Sequence, residues 1–314
     1  MKNIDLKDLA RRAVHIRKNA LQMITEAGSG HPGGSLSAAD IFVALYFHCM
    51  QYDPKNPKWE KRDRFILSKG HATGGFYSTL AMAGFFPESW LKGYRKLGQP
   101  LLGHPDSRKV PGVEISSGSL GQGLSVGIGL AISGRLNKAD HHIFVLLSDG
   151  ETEEGQTWEA ANFAGMHKLD NLIGIIDYNK YQLDGAVKDI LDMEPYADKW
   201  RAFKWDVQEI DGHNFSEIIN AVEQAKSATG KPQMIIAHTV KGKGVSFMEN
   251  NNHFHGVAPT QDELVKALAE LDTVLDKLGG GRVLSERSEL SVEGSLGGTA
   301  QQARRVPGRS HPRG

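Results

Sequence analysis

The stretch FVLLSDGETEEGQTWEAANFAGMHKLDNLIGIIDYN, residues 144–179, decides the fold. It opens on an apolar run that ends at Asp149 and closes on a second apolar run that ends at Asn179, with an acidic turn and a helical segment between them. A strand, a helix and a second strand in this order predict neighbouring parallel strands, because such a crossover returns the chain to the same sheet edge. Asp149 and Asn179 then emerge side by side at the carboxyl edge, where open α/β sheets bind ligands. Adjacent strands lie about 4.8 Å apart, and two oxygens on one magnesium at about 2.1 Å lie roughly 3 Å apart, a gap that side chains close. One carboxylate and one amide do not fill an octahedron, so this pairing implies an ion completed by a diphosphate and water. Gly150 permits close backbone approach, and a helix starting near Gln156 directs its amino-terminal dipole at the phosphates. An isolated Asp-Gly also serves turns and caps. The 30-residue separation and the acidic Glu151, Glu153 and Glu154 favour the ion site over that alternative.

Outward from this unit the same alternation continues. Apolar positions Leu9, Ala13, Ile16, Ala20 and Ile24 follow Asp5 at helical spacing, which predicts a helix over 6–27 stopped by Gly28 and Gly30. A second helix is expected over 38–50. Short β-rich runs RFILS, HIFVLLS, LIGII, WDVQEI and QMIIAHT alternate with helical periods at 120–136 and 217–228. The expected fold class is α/β, a parallel sheet with helices on both faces. No internal repeat is present. After a last helix in TQDELVKALAELDTVLDKL, periodicity vanishes, and 19 of the 36 residues from 279 to 314 are Gly, Ser or Arg. Residues 1–278 therefore read as one α/β domain and 279–314 as a disordered tail. Six arginines against three glutamates would make that tail at most a weak basic arm, and a remnant of cloning or a shifted reading frame is an alternative.

Composition narrows the function classes. With 39% hydrophobic and 24% charged residues, the 314-residue chain has the make-up of a soluble globular protein. Lys plus Arg and Asp plus Glu stand at 37 each, so bulk charge steers neither nucleic acid nor an anionic membrane. A single cysteine, Cys49, excludes an intramolecular disulfide and a Cys-based zinc cluster, and its apolar setting reads as a core thiol. The polar amino terminus and the absence of an apolar run of about 20 residues point to the cytoplasm.

Asp-Gly after a strand, about 30 residues, then Asn after a strand resembles the thiamine diphosphate motif. The segments SGHPGGSLSAADI, RFILSKGHA, LLGHPD, SGSLGQGLSVGIGLA and FHGVAP are similar, in order and spacing, to transketolase. The resemblance covers residues 8 to about 275. One departure is Ser148, where the family motif usually starts with glycine. The resemblance implies Asp149 and Asn179 as magnesium ligands through side chains and Tyr181 through its carbonyl. It implies Gly150 and His71 at the diphosphate, with Lys69 and Lys241 as compensating charge, and Gly118 and Leu120 at the aminopyrimidine. The segment from Gly118 to Gly123 only loosely resembles a dinucleotide fingerprint and lacks a clear preceding strand. No Walker lysine motif occurs.

Four of the thirteen histidines sit beside Gly or Pro in expected loops: His31, His71, His104 and His255. Imidazole suits sugar hydroxyls and proton transfer near neutral pH. By resemblance His31, His104 and His255 line a substrate channel, His255 and His71 lie at the cofactor, and Glu154 is an interface carboxylate coupling two active sites. His141, His142, His167 and His213 read as structural or exposed, and His238 as ambiguous at a strand end.

In the family, a glutamate on a second, pyrimidine-binding domain activates the cofactor, and nothing in this chain supplies it. The resemblance thus implies the diphosphate-binding subunit of a split transketolase, silent alone, self-associating, and completed by a separate partner subunit with the pyrimidine-binding and carboxy-terminal domains. The assembled enzyme would move a two-carbon ketol unit from a ketose phosphate to an aldose phosphate. Alternatives are a subunit of a 1-deoxyxylulose-5-phosphate synthase-like or 2-oxo acid dehydrogenase-like enzyme, for which HTVKGKG would fit the first, and a non-catalytic cofactor-binding relic. GHPGGSLS with LGHPD favours transketolase.

Overall fold

The computed structural model describes residues 5–280. The expected tail over 279–314 lies outside the described residues except for Gly279 and Gly280. Five parallel strands form one sheet: β1 (Arg64–Leu67), β2 (Ile143–Ser148), β3 (Leu172–Tyr178), β4 (Asp206–Asp211) and β5 (Gln233–His238), in spatial order β1-β2-β3-β5-β4. All five match the apolar runs, within a residue or two at their ends. Parallel strands are buried on both faces, and the alternation along β2 shows it. Phe144 and Leu146 enter one core cluster while Ile143, Val145 and Leu147 enter another.

Helices α1 (Leu6–Ala27), α3 (Ala39–Ala44), α4 (Thr73–Met82) and α9 (Phe215–Ser227) cover the first face. Helices α5 (Gln122–Leu136), α6 (Gly155–Met166) and α8 (Tyr196–Ala202) cover the second. Asp5 caps α1 by accepting the amides of Lys7 and Asp8, and Gly28, in the left-handed region, ends it. The last helix, α10 (Gln261–Lys277), opens with a capping box between Thr260 and Glu263 and packs on α1. The short α2 (Pro32–Ser37) and α7 (Val187–Ile190) complete the set.

The expected helix over 38–50 is present from Ala39 to Cys49, its last five residues widening into a π-helical turn, Leu45–Cys49, that follows α3 directly. Tyr46 on that turn packs among the rings of Tyr52, Phe65, Phe76 and Phe85. After His31, which stands in a loop as expected, a short helix α2 forms, with Pro32 in its first turn where a missing N–H costs nothing. Cys49 is buried as expected, and burial pushes its thiol up to about 12, leaving it inert. No described helix is long and apolar enough to cross a membrane.

The tight contact between α6 and the turn before β4 sets a stability test. A Cβ added at Gly165 of α6 would stand 1.8 Å from the Phe203 carbonyl oxygen, a backbone atom just before β4. Trp205 anchors the same junction by donating its indole N–H to the Ala161 carbonyl at 2.9 Å. Gly165→Ala is therefore expected to destabilise the chain by about 1–3 kcal/mol, read as a lower urea midpoint. An unchanged midpoint would show that α6 is not pressed against this turn.

Candidate active site

Every strand except β4 delivers chemistry from its carboxyl end. Ser68, Lys69 and His71 follow β1, Asp149 and Gly150 follow β2, Asn179 and Tyr181 follow β3, and Thr239 and Lys241 follow β5. The β2–β3 register pairs Ser148 with Asp177, which places Asp149 and Asn179 on adjacent strand ends. Asn179 borders, and Asp149 underlies, a cavity of about 320 Å³ whose wall includes His31, His71, His104, Gly118, Leu120, Gly150, Glu154, Asn179, Tyr181, Lys241 and His255. All but two of the sequence-expected site residues thus share one wall. The exceptions, Lys69 and Asp149, lie beneath it with no exposed surface. A larger groove of about 640 Å³, between α1 and α10, contains none of the expected residues.

Asp149 accepts the backbone amides of Gly150 at 2.9 Å and of Lys180, and among the described residues no cationic side chain pairs with it. Burial, and then the neighbouring Asp177 carboxylate, push its carboxyl up to about 7. The Asn179 oxygen accepts the Tyr181 amide at 3.2 Å, while its nitrogen donates to Asp177 at 3.3 Å. Gly150 is obligatory for local reasons, since a Cβ there would lie 2.6 Å from that of Gln182. A 3-10 turn, Gly150–Glu153, separates β2 from the start of α6.

The two lysines part company. The sequence reading has Lys69 offer positive charge to a diphosphate, but its ammonium is paired with Asp177, and both groups are fully buried. Lys241 keeps no carboxylate partner among the described residues. Its ammonium lies 2.7 Å from His255 Nδ1, 2.9 Å from the Asn252 oxygen and 3.3 Å from the Gln182 carbonyl. Burial, and then Lys69, lower it to about 7. The loop carrying Lys241 is fixed by His213, whose Nε2 accepts the Val240 amide at 2.9 Å. Its Nδ1 must then donate to Asp40, 2.7 Å away, which also binds the Arg17 guanidinium through both oxygens. His213 is thus structural, as the sequence suggested.

The four loop histidines meet. The His31 ring centroid lies 5.2 Å from that of His71, 6.3 Å from His104 and 5.8 Å from His255. Burial, and then the Arg95 guanidinium, carry His31 down to about 4; burial, and then Lys241, carry His255 to about 3. His71 and His104 are lowered for the same first reason. The cavity roof is therefore a set of uncharged imidazoles at neutral pH. Gly118 has φ +149, and a side chain there would press on His104 at 2.9 Å. Glu154 stands exposed at the rim. His238 lies outside the cavity, 3.2 Å from Glu209.

Three contributors escape a reading of the sequence. Asp177 accepts from Ser37, Lys69, Asn179 and Thr239. Glu151, read only as acidic turn, points inward and accepts from the Ser68 hydroxyl and from the amides of Gly121 and Ser148, tying the SGSLGQG loop to β1 and β2. Arg95, with a left-handed backbone at φ 56, lays its guanidinium against Gly103 and Ser29 behind the histidines. An aspartate interrupting the apolar run LIGIID is the available signal for the first. The others depend on loop geometry.

The donor set can be tested against an ion and a diphosphate. Among the described residues no group of three or more His, Cys, Asp or Glu could hold a metal by itself. Asp149 nevertheless is a fully buried carboxylate lacking a cation, next to an amide oxygen held in position. Lys241 is a buried ammonium lacking an anion. A cation with its own anionic ligand suits both.

The profile of the family described as "Transketolase, thiamine diphosphate binding domain" matches residues 9–273. The 6-deoxy-6-sulfo-D-fructose transketolase subunit SqwG of Clostridium sp. (strain MSTE9) is 48% identical over 84% of this chain and 96% of that protein. An apulose-4-phosphate transketolase subunit of Phocaeicola vulgatus is 40% identical over 83% of this chain and 93% of its own length. The crystal structure of transketolase from Campylobacter jejuni superposes with a TM-score of 0.81 at 35% identity, covering 88% of this chain but 43% of that one. With its sheet order, its Asp-Gly and Asn at adjacent strand ends and its gathered histidines, this chain belongs to the transketolase family and contains its thiamine diphosphate-binding domain.

Proposed function

We propose that the chain is the N-terminal subunit of a two-chain transketolase and binds thiamine diphosphate through Mg2+. The observation that carries this is the buried, cation-free Asp149 beside Asn179, set beneath four neutral imidazoles in a chain matching 43% of a full transketolase and 96% of a subunit relative. Residues 1–278 form the diphosphate-binding domain in this reading. Asp149, Asn179 and the Tyr181 carbonyl would hold the ion; Gly150, His71, Lys241 and His255 would hold the diphosphate. Lys69 would act from below, and Gly118 and Leu120 would meet the pyrimidine. When bound, the cofactor supplies the carbanion that attacks the ketose carbonyl.

The chain's own residues handle hydroxyls and protons. Cleaving the bond next to a ketose carbonyl requires removal of a proton from the adjacent hydroxyl oxygen, and an uncharged imidazole is ready to accept it near neutral pH. His31 and His104 offer two, and His255 offers a donor instead. The Lys241 ammonium donates to His255 Nδ1, so the proton of the neutral ring sits on Nε2, available to a sugar oxygen. The partner subunit would carry the pyrimidine-binding domain. Exposed apolar side chains on α5 and α6, with Leu136 79% and Met166 71% exposed, support burial in an assembly that includes self-association. Glu154, at the rim, is the carboxylate for coupling between sites.

Mixing the chain with a pyrimidine-binding partner is expected to restore ketol transfer from a ketose phosphate to an aldose phosphate, dependent on thiamine diphosphate and Mg2+. Asp149→Ala should abolish it. Turnover of pyruvate instead would assign the chain to the 1-deoxyxylulose-5-phosphate synthase-like class, and full activity of the isolated chain would refute the divided site.

Neutral imidazoles also set a pH dependence. An unfolded chain protonates histidine near 6.5, whereas His31 stays neutral in the fold to about 4. Between those values the unfolded state binds more protons, so this contribution is complete above pH 6.5 and lost as pH falls towards 4. Compared with the wild-type chain, His31→Gln is expected to show a urea midpoint that falls less steeply, or rises more, between pH 7 and 5. An identical slope in the variant would mean that His31 is charged or solvated in the fold.

A further inference from the structure

We propose that Asp177 is a positioning residue that fixes which end of the Asn179 amide faces the ion. This inference rests on the reading of Asp149 and Asn179 as ion ligands and goes one layer beneath it. An ionised carboxylate only accepts, and each of the four side chains bonded to Asp177 donates to it. Its Oδ2 receives the Ser37 hydroxyl at 2.6 Å, the Lys69 ammonium and the Asn179 NH2 at 3.3 Å; its Oδ1 receives the Thr239 hydroxyl. The paired Lys69 ammonium and the two hydroxyls already fix it geometrically as an acceptor.

The consequence follows from the planarity of an amide. With its nitrogen facing Asp177, Asn179 must point its oxygen the other way, where one lone pair takes the Tyr181 N–H at 3.2 Å. The other lone pair is left for a cation. A half-turn of the side-chain amide would set oxygen against carboxylate, and would present two N–H donors to the ion, which cannot coordinate it. Without this neighbour only the Tyr181 N–H would favour the oxygen-out orientation, and the flipped one is useless to the ion. Asp177 also accounts for the buried Lys69, whose ammonium neutralises the orienting carboxylate and spares Asp149 a second uncompensated charge. Outer partners that orient ion ligands are worth about 10- to 100-fold in affinity. The four donors come from α2 and the segments that follow β1, β3 and β5, so Asp177 also ties together the elements around the site.

The test uses the full chain with Mn2+ and thiamine diphosphate, free Mn2+ being counted by electron paramagnetic resonance. Asp177→Asn is expected to weaken cofactor-dependent Mn2+ binding about 10- to 100-fold. Asn179→Ala should weaken it as well, and adding Asp177→Asn to Asn179→Ala should cost no further affinity, because Asp177 acts through that amide. Its effect on melting temperature, by contrast, should persist in both backgrounds. Independent losses that multiply in the double variant would overturn the proposal, as would unchanged binding in Asp177→Asn. Where Asp177→Asn does not fold, the same comparison is made with Lys69→Met added, which removes the ammonium left without a counter-charge. Wild-type chain that binds no Mn2+ with thiamine diphosphate would instead overturn the ion-site reading itself.

Discussion

Two carboxylates lie fully buried at neighbouring strand ends, and among the described residues a cationic side chain pairs with only one of them. Asp177 has Lys69; Asp149 has two backbone amides and a negative neighbour. A buried charge must be paired, coordinated or neutralised. Burial and its negative neighbour push the Asp149 carboxyl up to about 7, and a cation bound at the cavity floor would favour its charged form. The rest of the site is arranged around that deficit. Gly150 gives the backbone access, Asn179 adds an oxygen, and the loop from Tyr181 closes the floor, pinned by the Gln182–Gly185 and Val187–Lys180 backbone bonds.

The fold is legible because buried parallel strands leave a simple trace, short apolar runs separated by helical periods. All five strands and the long helices follow from it. What the trace misses has local causes. The π turn Leu45–Cys49 at the end of the expected helix carries Tyr46 against Phe65. Helix α2 consists of PGGSLS, whose glycines and serines disfavour a helix in isolation but fit under the site, where a Cβ at Gly34 would lie 3.3 Å from the Lys69 ammonium. Tertiary contact therefore decides both segments.

The site is legible in its first layer and hidden in its second. Asp149, Asn179 and the four histidines stand beside Gly or Pro or at ends of apolar runs, where spacing alone brings them to one edge. Lys69 shows the limit of that reasoning. Its place in SKGH puts it at the edge, yet its side chain turns under the floor to Asp177. Glu151 and Glu154 are three residues apart in one acidic turn, and one is fully buried while the other is exposed. Such divergence is set by the 3-10 turn between β2 and α6, whose direction the sequence pattern does not encode.

The two uncompensated groups explain why an ion and a diphosphate belong together here. Lys241 without an anion borders the cavity and Asp149 without a cation underlies it, yet they do not pair with each other; the lysine spends its donors on His255, Asn252 and Gln182. Burial opposes the charged form of each, lowering the ammonium and raising the carboxyl. A bare cation would answer Asp149 and leave Lys241 unpaired beside more positive charge. A bare diphosphate would do the reverse, bringing anionic oxygens to the edge where Asp149 lies. Under the proposed function, a cation already carrying phosphate oxygens meets both demands at once, and the charges favour that complex over either component.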